Sequence, residues 1–155
     1  MSDPQTDNIV TAVNTALESP SAANFLAEIR QTLADAQTEI DSRCPSCDAC
    51  GRCCQFDTAD HRLYVSTGEL AVLLSSSPKI TPQKLRCEWQ IDHKCTARDN
   101  RPLGCRVFFC KSDLTEIYEI FHRKIVDIHK KYSIAYFYAE MTSAASEFRR
   151  DFSKK

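Results

Sequence analysis

The stretch from Cys44 to Cys54 reads CPSCDACGRCC and holds five of the nine cysteines in this chain of 155 residues. A C-x2-C pair closes a tight turn that brings two thiolates to one metal ion and leaves backbone amides free to donate to the sulfurs. Gly51 supplies the backbone freedom that such a turn needs. The stretch therefore predicts a metal site around which the rest of the fold is arranged.

The composition is that of an ordinary globular domain, with 43% hydrophobic and 26% charged residues. The net charge of −1 gives no electrostatic drive toward nucleic acid, so we expect no nucleic-acid partner. The first residues, MSDPQTDNIV, lack the basic start of a signal peptide, and no run approaches about 18 apolar residues. We therefore expect a cytoplasmic protein that does not bind membranes.

The odd number of cysteines argues against a disulfide framework, because nine thiols cannot all pair within one chain. In a reducing compartment, clustered cysteines serve metal binding or redox chemistry more often than structural disulfides. Metal binding is therefore the first hypothesis for this chain.

Apolar residues recur at helical spacing in five segments, which are about 7–18, 20–42, 68–75, 112–132 and 140–150. Thr67 is predicted to be the N-cap of the third of these helices. The segments 61–65 and 85–95 resemble short strands or irregular turns, and 133–138 is a strand or a helix interruption. The apolar stripe of the second helix could pack within the chain or against a partner protomer.

We therefore predict a mainly α fold with small β or irregular elements, in one compact domain. The N-terminal helical region is 1–43, the cysteine-rich metal-binding core is 44–111, and the C-terminal helical region is 112–155. A second copy of the chain or another protein could bind to the N-terminal helices.

Two ligand patterns overlap in the opening stretch. The order C-x2-C-x2-C-x3-C of bacterial ferredoxins runs from Cys44 to Cys54, with Gln55 in place of that motif's proline. The order C-x2-C-x2-C-C runs from Cys47 to Cys54. Neighbouring side chains usually point apart, so Cys53 and Cys54 are predicted to bind different metal centres.

Four further thiols lie downstream, at Cys87, Cys95, Cys105 and Cys110. Together with four from the first stretch they make eight ligands, which fit two zinc ions, two iron ions or two iron–sulfur clusters. The spacing does not assign each thiol to a centre.

Three arginines, Arg52, Arg101 and Arg106, lie next to cysteines. A centre with four thiolates carries net negative charge, and guanidinium groups can donate hydrogen bonds to it and balance that charge. We therefore predict that these arginines surround the metal, with Arg101 and Arg106 in hydrogen-bonding reach of sulfurs or of neighbouring carbonyls. Pro102 and Gly104 favour a tight turn before Cys105.

The elements CDACGRCC from Cys47 and RPLGCR from Arg101, with Cys87 and Cys95 between them, resemble the YkgJ-like family of small bacterial cysteine-cluster proteins. The resemblance covers about residues 47–110, and it departs at Thr96-Ala97, where many relatives have Ile-Tyr. It implies zinc or iron chelation by eight cysteines, which would be Cys47, Cys50, Cys53, Cys54, Cys87, Cys95, Cys105 and Cys110. A related module occurs in flagellin lysine methylases, which favours iron–sulfur chemistry, but no methyltransferase motif is present.

Other residues could take part in the chemistry. His93 could replace a thiolate as a ligand, although an exposed turn histidine is the commoner case. His122 and His129 are predicted at the boundary of the apolar stripe of their helix. Cys44 is the natural nucleophile if the other eight thiols bind metal, but no catalytic motif accompanies it, so no reaction is assigned.

Two functions follow from this pattern. The first is an iron or iron–sulfur protein that transfers electrons or senses redox state, and the family resemblance favours it. The alternative is a structural zinc protein whose helical surface binds a partner.

Overall fold

The computed structural model describes residues 4–47, 52–55, 62–76, 87–92, 94–108 and 112–153. Within these ranges the chain is mainly helical, with small antiparallel sheets. The helices are α1 (Pro4–Glu18), α2 (Ala22–Ser42), α3 (Thr67–Ser76), α4 (Leu103–Val107), α5 (Thr115–Tyr132) and α6 (Met141–Ser153). The strands are β1 (Tyr64–Ser66), β2 (Gln90–Ile91), β3 (Lys94–Cys95) and β4 (Tyr138–Glu140).

The apolar stripe of α2 is buried within the chain. Phe25, Ile29, Leu33, Ala36 and Ile40 recur at three- and four-residue steps, and all are fully or almost fully buried. They pack with the apolar face of α5 and with Leu103 of α4. The stripe that could have faced a partner protomer therefore stabilises the monomer.

A second apolar core joins α1 to α3 and α6, below the sheet formed by β1 and β4. These strands pair antiparallel, with Tyr64 opposite Glu140 and Ser66 opposite Tyr138. The N-terminal, middle and C-terminal regions thus share one compact unit, as the sequence predicted. Across the described ranges, no helix combines the length and apolarity that crossing a membrane requires.

The helix predicted at 68–75 is confirmed, but its N-cap is Ser66 rather than Thr67. The Glu69 amide donates to Ser66 Oγ (3.3 Å), and the Glu69 carboxylate accepts from the Ser66 amide (2.8 Å), which is a reciprocal capping box. Thr67 Oγ1 instead accepts a hydrogen bond from the Phe137 amide (3.0 Å). Thr67 therefore fixes the approach to β4 rather than the helix start.

His129 fastens α3 to α5. Its Nδ1–H donates to the Ile125 carbonyl (2.8 Å), and its Nε2 accepts from the Gly68 amide (3.0 Å). A side chain at position 68 would place Cβ 2.9 Å from both His129 Cε1 and Ile29 Cδ1, so this close approach requires glycine. The sequence predicted a boundary position for His129, but its side chain is 1% exposed because it bridges two helices.

This buried imidazole predicts a loss of stability in acid. Burial is the main cause that lowers the pKa of His129 in the folded state, and the neighbouring His122 lowers it further. Below the unfolded-state pKa of about 6.5, the unfolded chain binds more protons, so the free energy of unfolding falls as the pH falls. His129→Gln keeps an acceptor for Gly68 and removes the titration. The free energy of unfolding, measured with urea between pH 7 and pH 5, should fall less steeply with pH in this variant, by up to about 1.4 kcal/mol per pH unit. Parallel curves for the variant and the unsubstituted protein would refute this.

Candidate metal centre

Five cysteines from four separate segments lie together beside the second apolar core. They are Cys53 and Cys54 in the 3₁₀ turn Arg52–Cys54, Cys87 before β2, Cys95 at the end of β3, and Cys105 in α4. We call these five residues the thiol cluster. The fold, rather than one local loop, therefore brings the thiols together.

Cys54 is the central member of the thiol cluster. Its thiol forms hydrogen bonds with the thiols of Cys53 and Cys87 and lies close enough to Cys95 for an electrostatic effect. The Cys87 amide also donates to the Cys54 carbonyl (2.8 Å), which fixes the two backbone segments side by side. Cys105 lies close enough to Cys54, Cys95 and Cys53 for an electrostatic effect on its thiol.

A short hairpin places Cys95 opposite the segment that begins at Cys87. Gln90 is the register partner of Cys95. The Trp89 carbonyl accepts from both the amide and the hydroxyl of Thr96, each at 2.7 Å. These bonds hold the two arms of the hairpin in register. The segment 85–95, predicted as short strands or irregular turns, thus contains two short strands.

Helix α4 presents Cys105, and Glu69 holds the start of this helix. The Leu103 amide donates to Glu69 Oε1 (2.8 Å), while Glu69 Oε2 accepts from the amide and the hydroxyl of Ser66. A Cβ at Gly104 would lie 2.7 Å from Leu63 Cδ1, so a larger residue there would require the Leu63 side chain to shift. Sequence reasoning missed Glu69; the pattern Ser-x-x-Glu at the helix start was the available signal.

Two arginines lie beside the thiol cluster. Arg106, which is 5% exposed, donates to the carbonyls of Arg101 (2.8 Å) and Asp99 (2.7 Å). Arg101 donates to the Arg98 carbonyl (3.0 Å) and acts electrostatically on Cys53 and Cys105. Bonds to neighbouring carbonyls are therefore present as predicted, while a role in binding metal stays a prediction. Of Arg52, only the backbone is described.

The charge environment favours neutral thiols while no metal is bound. The hydrogen bond to Cys54, followed by burial, raises the pKa of Cys53. The bond with Cys53 lowers the pKa of Cys54, but the bond with Cys87, burial and nearby thiols together raise it to about 12. Burial and nearby thiols raise the pKa of Cys105. A metal ion would supply the positive charge that lets such thiols release their protons.

The thiols of the adjacent Cys53 and Cys54 are hydrogen bonded to each other. These two side chains therefore do not point apart, contrary to the expectation from sequence. The reason is the 3₁₀ turn, which separates successive side chains by about 120° rather than the roughly 180° of a strand. Cys53 is exposed and Cys54 is partly buried, so the two thiols still differ in surroundings. Their assignment to different centres stays a prediction.

The other cysteines singled out in the sequence are Cys44, Cys47, Cys50 and Cys110. Cys47 is exposed, and Cys44 is exposed with its thiol donating to the Asp41 carbonyl (3.5 Å). Cys50, Cys110 and His93 lie outside the described residues. The seven described cysteines are all free of disulfides, and in this part of the chain no three Cys, His, Asp or Glu side chains stand in a metal-coordinating arrangement.

Comparison of the chain with protein-family models, with curated proteins and with solved structures finds no match. The resemblance to the YkgJ-like family therefore rests on the motif residues alone.

Proposed function

We propose that this chain is a metal-binding cysteine-cluster protein whose thiolates hold iron or iron–sulfur centres and serve electron transfer or redox sensing. The observation that carries the proposal is the thiol cluster, in which five cysteines from four segments lie together. In a chain without disulfides among its described cysteines, such a set is typical of thiolate ligands. The family resemblance favours iron. Bound iron supplies one-electron redox chemistry.

We assign the ligands of a first centre from their burial and from the apolar core that they share. Cys54, Cys87, Cys95 and Cys105 are partly or fully buried, and all four pack against the same apolar core. Cys53 is exposed at the edge of this group. Cys53 would then join the other proposed ligands, Cys47, Cys50 and Cys110, in a second centre.

The charge of Arg106 supports an anionic centre. Its guanidinium is buried, and among the described residues neither Arg106 nor Arg101 forms an ion pair with a carboxylate. Burial and the nearby charge of Arg101 lower the pKa of Arg106, and the nearby Asp99 and Glu69 offset only part of this effect. A centre with four thiolates would supply further negative charge beside this buried guanidinium group.

The side chain of Trp89 gives a second, independent observation in favour of a thiolate centre. Its side chain is 1% exposed, and its Nε1–H has no hydrogen-bond partner among the described residues. A buried unmet donor costs about 1–3 kcal/mol. Trp89 belongs to the same packed core as the four proposed ligands, where a thiolate is a far better acceptor than a thiol.

Anaerobic purification followed by metal and sulfide analysis tests the function. A brown protein with stoichiometric sulfide, or with iron and no sulfide, supports the proposal. A colourless protein with about two zinc ions per chain would instead support the structural zinc alternative. A protein that binds neither metal would remove both.

The zinc alternative also has an observation in its favour. The four proposed ligands of the first centre lie against an apolar core and join segments far apart in sequence. That is the position of a structural zinc ion whose binding energy stabilises the fold. In this case the helical surface would provide the function, by binding a partner.

The one tryptophan of the chain should distinguish the two metals. Iron–thiolate and iron–sulfur chromophores absorb where indole emits, whereas zinc thiolates do not. Because Trp89 lies in the same packed core as Cys87 and Cys95, loading with iron should quench its fluorescence severalfold, and zinc should leave it largely unchanged. The measurement is steady-state emission before and after loading, with removal of the metal by a chelator as the control. Unquenched emission from iron-loaded protein would contradict the placement of the centre.

A further inference from the structure

Gln37 of α2 joins the two arginines of the candidate metal centre. Its Oε1 accepts from Arg106 Nη1 (3.2 Å) and from Arg101 Nη2 (3.4 Å). Its Nε2 donates to Asp41 Oδ1 (2.8 Å) one turn later in the helix. The amide is thus oriented with its oxygen toward both guanidinium groups.

The acceptor between these two cations is neutral, and this is the unusual feature. A carboxylate at the same place would accept from two guanidinium groups in charge-assisted hydrogen bonds that are about twice as strong. It would also cancel part of their positive charge. The amide oxygen holds the two side chains close to each other in spite of their repulsion and leaves their charge intact.

We propose that Gln37 is a positioning residue of the metal centre, which holds Arg101 and Arg106 together as a neutral acceptor so that their charge acts on an anionic metal–thiolate group. The proposal rests on the proposed function, because it needs such a group beside the arginines. It adds a residue of the N-terminal helical region, outside the cysteine-rich core, to the centre.

The test compares Gln37→Glu with Gln31→Glu. Gln31 lies on the same helix, is exposed, and its Nε2 donates to Asp35 Oδ1 at 2.8 Å, as Gln37 does to Asp41. Both variants add one negative charge and lose one amide-to-carboxylate hydrogen bond, but only position 37 faces the arginines. The probe is cobalt(II) alone, whose thiolate charge-transfer bands report binding, and affinity is measured by competition with a chelator.

We expect Gln37→Glu to bind cobalt(II) about tenfold more weakly than Gln31→Glu, because one unit of positive charge near the thiolates is cancelled. Before cobalt is added, the thermal unfolding midpoint of Gln37→Glu should be about 3 °C higher than that of Gln31→Glu, because two guanidinium groups gain a carboxylate partner. Stability and metal affinity thus change in opposite directions, which a purely structural role would not produce.

Equal cobalt affinities of the two variants would overturn the proposal. A parallel fall in stability and affinity for Gln37→Glu would overturn it as well, since the residue would then act through folding. Absence of cobalt bands in the unsubstituted protein would refute the proposed metal centre itself, and with it the role of Gln37. That outcome is read from the unsubstituted protein alone, so the two failures are distinguishable.

Discussion

Replacing Cys54 by serine should abolish the first metal centre and remove about half of the bound metal, on the basis of two four-ligand centres. Cys54 is the member of the thiol cluster that contacts both Cys53 and Cys87 and also lies near Cys95. A serine hydroxyl is a poor ligand for zinc or iron at neutral pH, because it is not deprotonated as a thiol is.

Cys44→Ser is the matched control. Its thiol is exposed, and it contacts the Asp41 carbonyl rather than any member of the thiol cluster. This variant should keep the full metal content, measured by elemental analysis and by the visible spectrum of anaerobically purified protein. Full metal in Cys54→Ser, or equal loss in the two variants, would remove the assignment of the first centre.

A Cys53→Ser variant tests whether Cys53 and Cys54 bind the same metal centre. If the exposed Cys53 belongs to a second centre, Cys53→Ser should also lose about half of the metal, and the double variant with Cys54→Ser should lose nearly all of it. If both cysteines bind one ion, the double variant should lose no more than either single variant. This comparison decides between the two arrangements although the two thiols are hydrogen bonded to each other.

Apolar periodicity was sufficient to locate the long helices, because each buries one stripe against a large partner. The stripe of α2, from Phe25 to Ile40, and that of α5 recur at the spacing of a helix face, and both are buried within the chain. The end of α1 at Glu18 follows from the Ser19-Pro20 pair that comes next. These signals are local, so a single sequence contains them in full.

Contacts between segments distant in sequence could not be predicted from such local patterns. Helix α4 has five residues, which is too short for a periodic pattern, and it forms where Glu69 accepts the Leu103 amide from 34 positions away. The partner of β1 is β4, and the residues between them give no register signal. Likewise, the number of cysteines predicted a ligand set, but only the fold shows that Cys54 lies beside Cys87.

Replacing Glu69 by glutamine should destabilise the fold by about 3 kcal/mol. The buried carboxylate, 2% exposed, accepts three hydrogen bonds, from the Ser66 amide, the Ser66 hydroxyl and the Leu103 amide. Glutamine offers one oxygen and one NH₂ group, so a donor would face either Ser66 or Leu103. The amide oxygen keeps two hydrogen bonds if it stays at Ser66, so the NH₂ group should face the Leu103 amide. The buried Leu103 N–H would then lack an acceptor, and α4, which carries Cys105, would lose its attachment to α3. Cobalt(II) affinity should therefore fall together with stability, unlike in Gln37→Glu.

Glu140→Gln is the control, because it changes a carboxylate of the same kind in a wetter place. Glu140 accepts from the amides of Thr142 (3.2 Å) and Ser143 (2.8 Å) and from the Thr142 hydroxyl, but it is only partly buried. Water can replace a lost bond there, so the cost should be about 1 kcal/mol and cobalt affinity should not change. Both variants can be compared by urea unfolding at pH 7. Equal losses of stability, or a Glu69→Gln protein with unchanged cobalt affinity, would show that the Glu69 bond to Leu103 does not position Cys105.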